Sequence, residues 1–319
     1  MTKTNVSEEL ANKIFKIYQA QEVSEKDVKE IKDLIAKNAD VNAYKVNGLP
    51  LLHCVLMDGI TPISLVEKIS KMIINAGYNI NLPDDNGTPA LFCAVETGSS
   101  VFVKQVLGAG ADINKQNRRG WTALRLAAEN KDTKIAKLLI DNGADLNIQC
   151  YNEENTALHV AFAKDDFDMT SLLIKKGADL NITNRNGEPP LDYMLIKKYK
   201  DLSKLLIKKG VDIDSPPTYN NTDLLLALSN GKEDLVKLLI KKGVQVNGEN
   251  FAGYSALHYA VAHGSKSLTK LLILKSAQLN TQNKYGDTPI HLAVRNNNKD
   301  ILILLIRAGS VLNIANDKG

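Results

Sequence analysis

The sequence predicts an all-α solenoid of helix-turn-helix units joined by β-hairpin fingers. Three observations carry that reading. A block of the form G-A-D-x-N returns along most of the chain, from Asn81 onward every 33 residues with one spacing of 34. A second block, G-x-T-P-L-H-x-A, sits at a constant offset between its copies. Each unit then holds two short apolar segments separated by a polar break, the mark of paired short helices that bury a shared face.

The first block reads Asn38-Ala39-Asp40-Val41-Asn42, Gly110 to Asn114, Gly143 to Asn147, Gly177 to Asn181 and Gly210 to Asp214. Weaker copies lie at Gly77 to Asn81, Gly243 to Asn247, Ser276 to Asn280 and Gly309 to Asn313. The second block is clearest at Gly253 to Ala260 and Gly286 to Ala293, and good at Gly120 to Ala127 and Glu154 to Ala161. It is degenerate at Gly48 to Val55, Gly87 to Ala94, Gly187 to Met194 and Asn220 to Ala227. Two independent blocks at a fixed offset resemble the ankyrin repeat. The Asn-, Lys- and Ile-rich usage further resembles effector- or adaptor-type ankyrin proteins of AT-rich genomes.

Local chemistry supports each element. A Thr or Ser can cap the first helix of a unit, and a segment such as Ile135-Ala136-Lys137-Leu138-Leu139-Ile140 supplies the apolar stripe of the second. The glycine after the second helix permits a left-handed C-terminal cap, and the polar stretch that follows projects as a finger. A single unit cannot bury both its apolar faces, so neighbours complete the core. On this register residues 1–44 form an N-terminal helical capping unit, with helical stretches at Glu8 to Tyr18 and Glu25 to Lys37 rich in Lys and Glu. Eight repeats follow, at 45–83, 84–116, 117–150, 151–183, 184–216, 217–249, 250–282 and 283–315, and residues 316–319 open a further, truncated repeat. Ile301, Leu302, Leu304, Leu305 and Ile306 are therefore expected to lack cover, and the chain is expected to be the N-terminal part of a longer protein.

Composition narrows the function classes. The chain has 319 residues, 44% hydrophobic but only 5% aromatic, as suits small helical cores filled by Leu, Ile, Val and Ala. Lys and Arg number 40 against 36 Asp and Glu, a net charge of +4, without the basic excess of a dedicated nucleic-acid binder. No apolar run is long enough to span a membrane, the N-terminus lacks a signal-peptide core, and Cys54, Cys93 and Cys150 match neither a disulfide framework nor a zinc site. The expected location is cytoplasmic, or the host cytoplasm for a secreted effector. Phosphate-binding, metalloprotease and nucleophile-elbow motifs are missing, so no catalytic, cofactor or metal residue is nominated and no enzyme is expected.

The resemblance implies a protein-protein interaction module, an adaptor or targeting scaffold whose concave finger and first-helix surface binds a partner protein. For an effector the partner is a host protein. Nucleic acid and membrane are not expected partners, and the chain is expected to be monomeric. In ankyrin repeats the residues flanking the finger glycine are variable surface positions. Here they supply Arg118, Arg119, Trp121, Tyr219, Phe251, Tyr254 and Tyr285, with Tyr151 at the base of another finger. Aromatic residues left in water on a scaffold favour an interface, and Tyr254 and Tyr285 should lie on adjacent fingers.

Other conspicuous residues have structural explanations. The resemblance gives His53, His159, His258 and His291 one shared role, organising the turn through backbone hydrogen bonds, and leaves His263 exposed at a helix end. Cys54 and Cys93 read as buried fillers, and Cys150, in a finger with one extra residue, as accessible. Lys175-Lys176, Lys208-Lys209 and Lys241-Lys242 complement helix C-termini. Aligned by the repeat, they also form a ridge that could dock anionic lipid or nucleic acid, one alternative to a protein-binding function; a structural tether or spacer is the other. Finally, a six-residue excess near Gly59-Ile60-Thr61-Pro62 predicts a protruding loop. Glu188 to Asp192, Thr222 to Leu225 and Ser215-Pro216-Pro217 depart from the repeat pattern and predict imperfect stacking over 184–249.

Overall fold

Cap residues start the helices where the second block places them. Thr122 Oγ1 accepts the Arg125 N–H at 3.2 Å, and the second helices begin the same way, with Asp132 Oδ1 accepting Ile135 N–H at 2.9 Å and Asn298 Oδ1 accepting Ile301 N–H at 3.2 Å. The computed structural model describes residues 3–56, 60–190, 223–241 and 243–319. Their contacts divide into two compact units, Met1–Asp179 with Asn184–Asn186, and Leu180–Thr183 with Gly187–Gly319.

The first unit contains α1 (Lys3–Ala20), α2 (Glu25–Ala36), α3 (Leu51–Val55), α4 (Ile63–Asn75), α5 (Ala90–Glu96), α6 (Ser100–Gly108), α7 (Ala123–Glu129), α8 (Thr133–Asp141), α9 (Ala157–Ala163) and α10 (Phe167–Lys176). Each odd-numbered helix pairs with the one that follows it. The odd-numbered helices also pack on one another in one row and the even-numbered in a second. Leu52, Leu91, Leu124 and Leu158 fill the first row, and Ile69, Val103, Ile135 and Leu139 the second, all within 1% of complete burial. Each such side chain contributes about 1.5–3 kcal/mol through removal from water. The second unit repeats the plan with α11 (Asp223–Ser229), α12 (Glu233–Lys241), α13 (Ala256–Ala262), α14 (Lys266–Leu274), α15 (Pro289–Arg295) and α16 (Lys299–Ala308). The helices bear out an all-α solenoid.

An asparagine ladder ties successive repeats at the fixed offset of the first block. Oδ1 of Asn42, Asn81, Asn114 and Asn147 accepts the backbone N–H of Asn79, Asp112, Asp145 and Asp179 at 2.8–2.9 Å in the first unit. Asn247 and Asn280 do the same for Gln278 and Val311 in the second. The histidines work at the start of the first helix. The backbone N–H groups of Thr156, Ser255 and Thr288 donate to Nδ1 of His159, His258 and His291 at 3.0–3.1 Å. That fixes the tautomer and leaves Nε2–H of His258 to donate to the Asp287 carbonyl of the next finger at 3.0 Å.

Only the first finger contains a strand pair among the described residues, β1 (Lys45–Val46) against β2 (Leu49–Pro50). Other described fingers include hairpin turns closed by an asparagine side chain. Asn117 Oδ1 accepts the N–H groups of Arg119 and Trp121, and Asn250 and Asn283 repeat the arrangement. Neighbouring fingers are stitched edge to edge, as by Tyr151 N–H to Arg119 O at 3.1 Å and Lys284 N–H to Ala252 O at 3.0 Å.

Of the excess residues near Gly59, Ile60 to Pro62 are described, with Thr61 and Pro62 exposed, and Gly59 lies outside the described residues. Ile60 is buried, Thr61 N–H donates to Gln21 O, and Val23 N–H donates to Thr61 O, so the segment is sewn to the connection between α1 and α2. Much of the remaining excess lengthens α4 to 13 residues, against nine in α6 and α8. At α16, Ile301 and Leu305 are fully buried against the helices beside them, contrary to expectation, while Ile306 is exposed and Leu302 and Leu304 are half-buried. Tyr219, Lys208, Lys209, Ser215 to Pro217 and most of the irregular stretch after Pro190 lie outside the described residues.

Candidate functional site

Edge-to-edge stitching engages backbone groups of neighbouring fingers and leaves several of their aromatic side chains exposed. Phe251, Tyr151 and Tyr285 are 82%, 60% and 51% exposed, unusual values in a chain whose large apolar side chains are mostly buried. Lys284 Nζ stands 5.1 Å from the Tyr285 ring centroid. Arg118 and Arg119 are exposed at the tip of their finger.

Trp121 and Tyr254 behave differently from the sequence expectation of water-exposed aromatics, because each is half-buried against its own first helix. The Arg125 guanidinium stands over the Trp121 ring at 3.8 Å from the centroid, and that of Arg119 lies at 5.5 Å. Arg125 occupies the position that His159, His258 and His291 hold in their units, and cannot repeat their bonding. It is only 5% exposed; Nη2 lies 3.5 Å from Glu153, Nη1 lies 3.8 Å from Glu129, and Nε and Nη1 make no hydrogen bond. Arginine in a histidine register was the available signal for this residue.

Tyr254 is packed at 5.7 Å against Tyr259 and at 5.6 Å against His258. Tyr259 in turn stacks on the exposed His263 at 6.4 Å and accepts a hydrogen bond from Asn250 Nδ2 at 3.0 Å. These rings form a ladder from the finger along α13. The sequence places Tyr254 and Tyr285 on adjacent fingers; the ring partners of Tyr254 among the described residues come from its own repeat. Tyr259 belongs to this surface, and only its helical spacing from Tyr254 signalled it.

The three cysteines are buried. Burial pushes the Cys54 thiol up to about 12, and burial with nearby Glu96 pushes Cys93 further. Cys150 is 3% exposed rather than accessible. It stands in the register of Asn117 and closes its finger through its own N–H, donated to Asn155 O at 3.2 Å, so the extra residue is absorbed farther out in the finger. Of the lysine ridge, Lys176 is paired with Asp141 at 2.6 Å, which holds that carboxyl below its usual range. No described helix is long and apolar enough to cross a membrane.

A family profile described as "Ankyrin repeats (3 copies)" matches residues 20–117, 64–150, 97–184, 147–217 and 224–316. A search of curated proteins finds no match.

Proposed function

The chain belongs to the ankyrin-repeat family, whose repeats are generally protein-protein interaction modules, and from that premise we propose that it is an adaptor or targeting scaffold that binds a protein partner through its fingers and first helices. The observation that carries this reading is the exposure of Phe251, Tyr151 and Tyr285 at the fingers. Aromatic and arginine side chains are the residues most enriched where binding energy concentrates, because they offer large contact area with few rotatable bonds. Residues 1–44 act as the cap of the array and the eight repeats as its recognition surface. A host protein is the partner if the chain is an effector. A pure spacer would have no need of wet aromatics in its fingers, and the pairing of Lys176 with Asp141 weakens the case for a lipid-binding ridge.

Photo-crosslinking tests the reading. A benzoylphenylalanine residue is placed singly at positions 151, 251 and 285, and as a control at position 274, where Leu274 is 70% exposed at the end of the second-row helix α14. Adducts with one protein from the finger positions, and none from position 274, are expected. Adducts only from position 274 would sink the finger-face reading.

A further inference from the structure

Between the finger of Asn86 and that of Asn117 lies a cavity of about 350 Å³, walled by Phe92, Glu96, Arg118, Arg119, Trp121 and Leu126. Its charge is unevenly placed. Arg118 and Arg119 stand at the finger end and make no ion pair among the described residues, whereas the neighbouring finger's Asp85 is already held by Lys45 at 2.9 Å. Their backbones are committed to the stitching of the fingers, through Arg118 N–H to Asn86 O and Tyr151 N–H to Arg119 O, so only the guanidinium groups remain to bind. Arg125, buried beneath Trp121 with two nitrogens lacking a hydrogen bond, adds a third cation behind the wall. Its charge is met by Glu153 at 3.5 Å and Glu129 at 3.8 Å, so the two exposed arginines carry the uncompensated charge of the cavity. Glu96 lies at the helix end of the cavity, away from the arginine pair in sequence register.

We infer that this cavity receives an acidic, extended segment of a protein partner, with a carboxylate on Arg118 and Arg119 and an adjoining aliphatic side chain against Trp121, Phe92 and Leu126. The inference rests on the finger-face reading and gives its partner a chemistry. Arginine forks match carboxylates in two-point geometry, and the indole offers an apolar wall stiffened by the cation beneath it. A nucleic-acid strand fits poorly. The cationic spot is two arginines on one fingertip, too few to neutralise a run of phosphates but enough to hold one carboxylate.

Trp121 is the single tryptophan of the chain, so its emission reports on this cavity alone. The probes are a blocked peptide alternating glutamate and leucine, the same peptide with lysine for glutamate, and a single-stranded oligonucleotide. The acidic peptide should shift Trp121 emission saturably, and should bind about tenfold or more weakly to the Arg118→Gln plus Arg119→Gln variant and in high salt. Both arginines are exposed, and circular dichroism checks that the variant stays helical. The inference is overturned if the acidic peptide gives no saturable shift, if the lysine peptide or the oligonucleotide binds as well, or if the double variant binds as tightly. Crosslinks at positions 151, 251 and 285 alongside any of those results would leave the finger-face reading standing while this inference falls.

Discussion

Arg125 and Trp121 form a cation-π pair, the buried guanidinium carbon 3.8 Å from the centroid of the half-buried ring, at the site where other repeats hold a turn-organising histidine. A desolvated pair of this kind contributes about 2 kcal/mol. Arg125→Ala should therefore lower stability by about 1–2 kcal/mol in urea denaturation. It should also raise acrylamide quenching of Trp121, because the ring loses its cover. Unchanged quenching would show that the indole is shielded by something else.

The asparagine ladder predicts a graded loss. Asn114 Oδ1 accepts the Asp145 N–H at 2.8 Å across the repeat boundary, so Asn114→Ala should cost about 0.5–1.5 kcal/mol. Asn117→Ala removes the one oxygen that accepts the N–H groups of both Arg119 and Trp121 within a finger, and should cost more. Equal, negligible losses in both variants would argue that water replaces these bonds at no cost.

Gly120 separates a conformational demand from a steric one. Its φ is +75°, and an added Cβ would come within 2.5 Å of the Tyr151 backbone nitrogen and 2.7 Å of its ring. Gly143, at φ +93°, has open space. Gly143→Ala should cost about 1–2 kcal/mol for the left-handed backbone alone. Gly120→Ala carries that cost and must also push two stitched fingers apart, so its melting temperature should fall further. Equal losses would mean that the fingers yield freely.

The buried histidines set a pH dependence. Desolvation lowers the His53 and His258 pKa below the ordinary 6.5, against the pull of the carbonyls of Thr88 and Asp287. The unfolded chain then binds more protons than the folded one as pH falls below about 6.5. Stability should be level above about pH 7 and decline from 6.5 toward the lowered folded values. Replacing both histidines with Gln should lower stability overall and flatten that decline between pH 6.5 and 5. A wild-type stability that rises over this interval would contradict the assignment.

The array itself was legible because its signals are local and repeated: cap residues, apolar stripes and finger glycines recur at one spacing, and the helices begin and end where those signals fall. What escaped the sequence depends on contacts that the spacing does not encode. The residues around Thr61 read as an excess, yet hydrogen bonds with Gln21 and Val23 tie them to the connection between α1 and α2. Cys150 read as accessible because its finger is longer, but it takes the closing position where other fingers use Asn. At the candidate surface, Phe251, Tyr151 and Tyr285 were readable from their register beside the finger glycines. Half-burial of Trp121 was not, because it comes from Arg125 four residues ahead, a residue whose register reads as histidine.

The most direct test is the affinity of the crosslinked partner, once purified, for three variants. Phe251→Ala removes an 82% exposed ring and leaves the core intact, so any loss belongs to binding. Trp121→Ala removes the indole of the other unit, and its melting curve separates misfolding from lost contact. Lys175→Ala with Lys176→Ala removes the described lysine pair at the end of α10. If the fingers carry the interface, at least one aromatic variant loses about 2 kcal/mol, roughly thirtyfold in affinity, while the lysine variant stays within about threefold of wild type. Normal binding by both aromatic variants, with the lysine variant alone failing, would place the interface on the second-helix row instead.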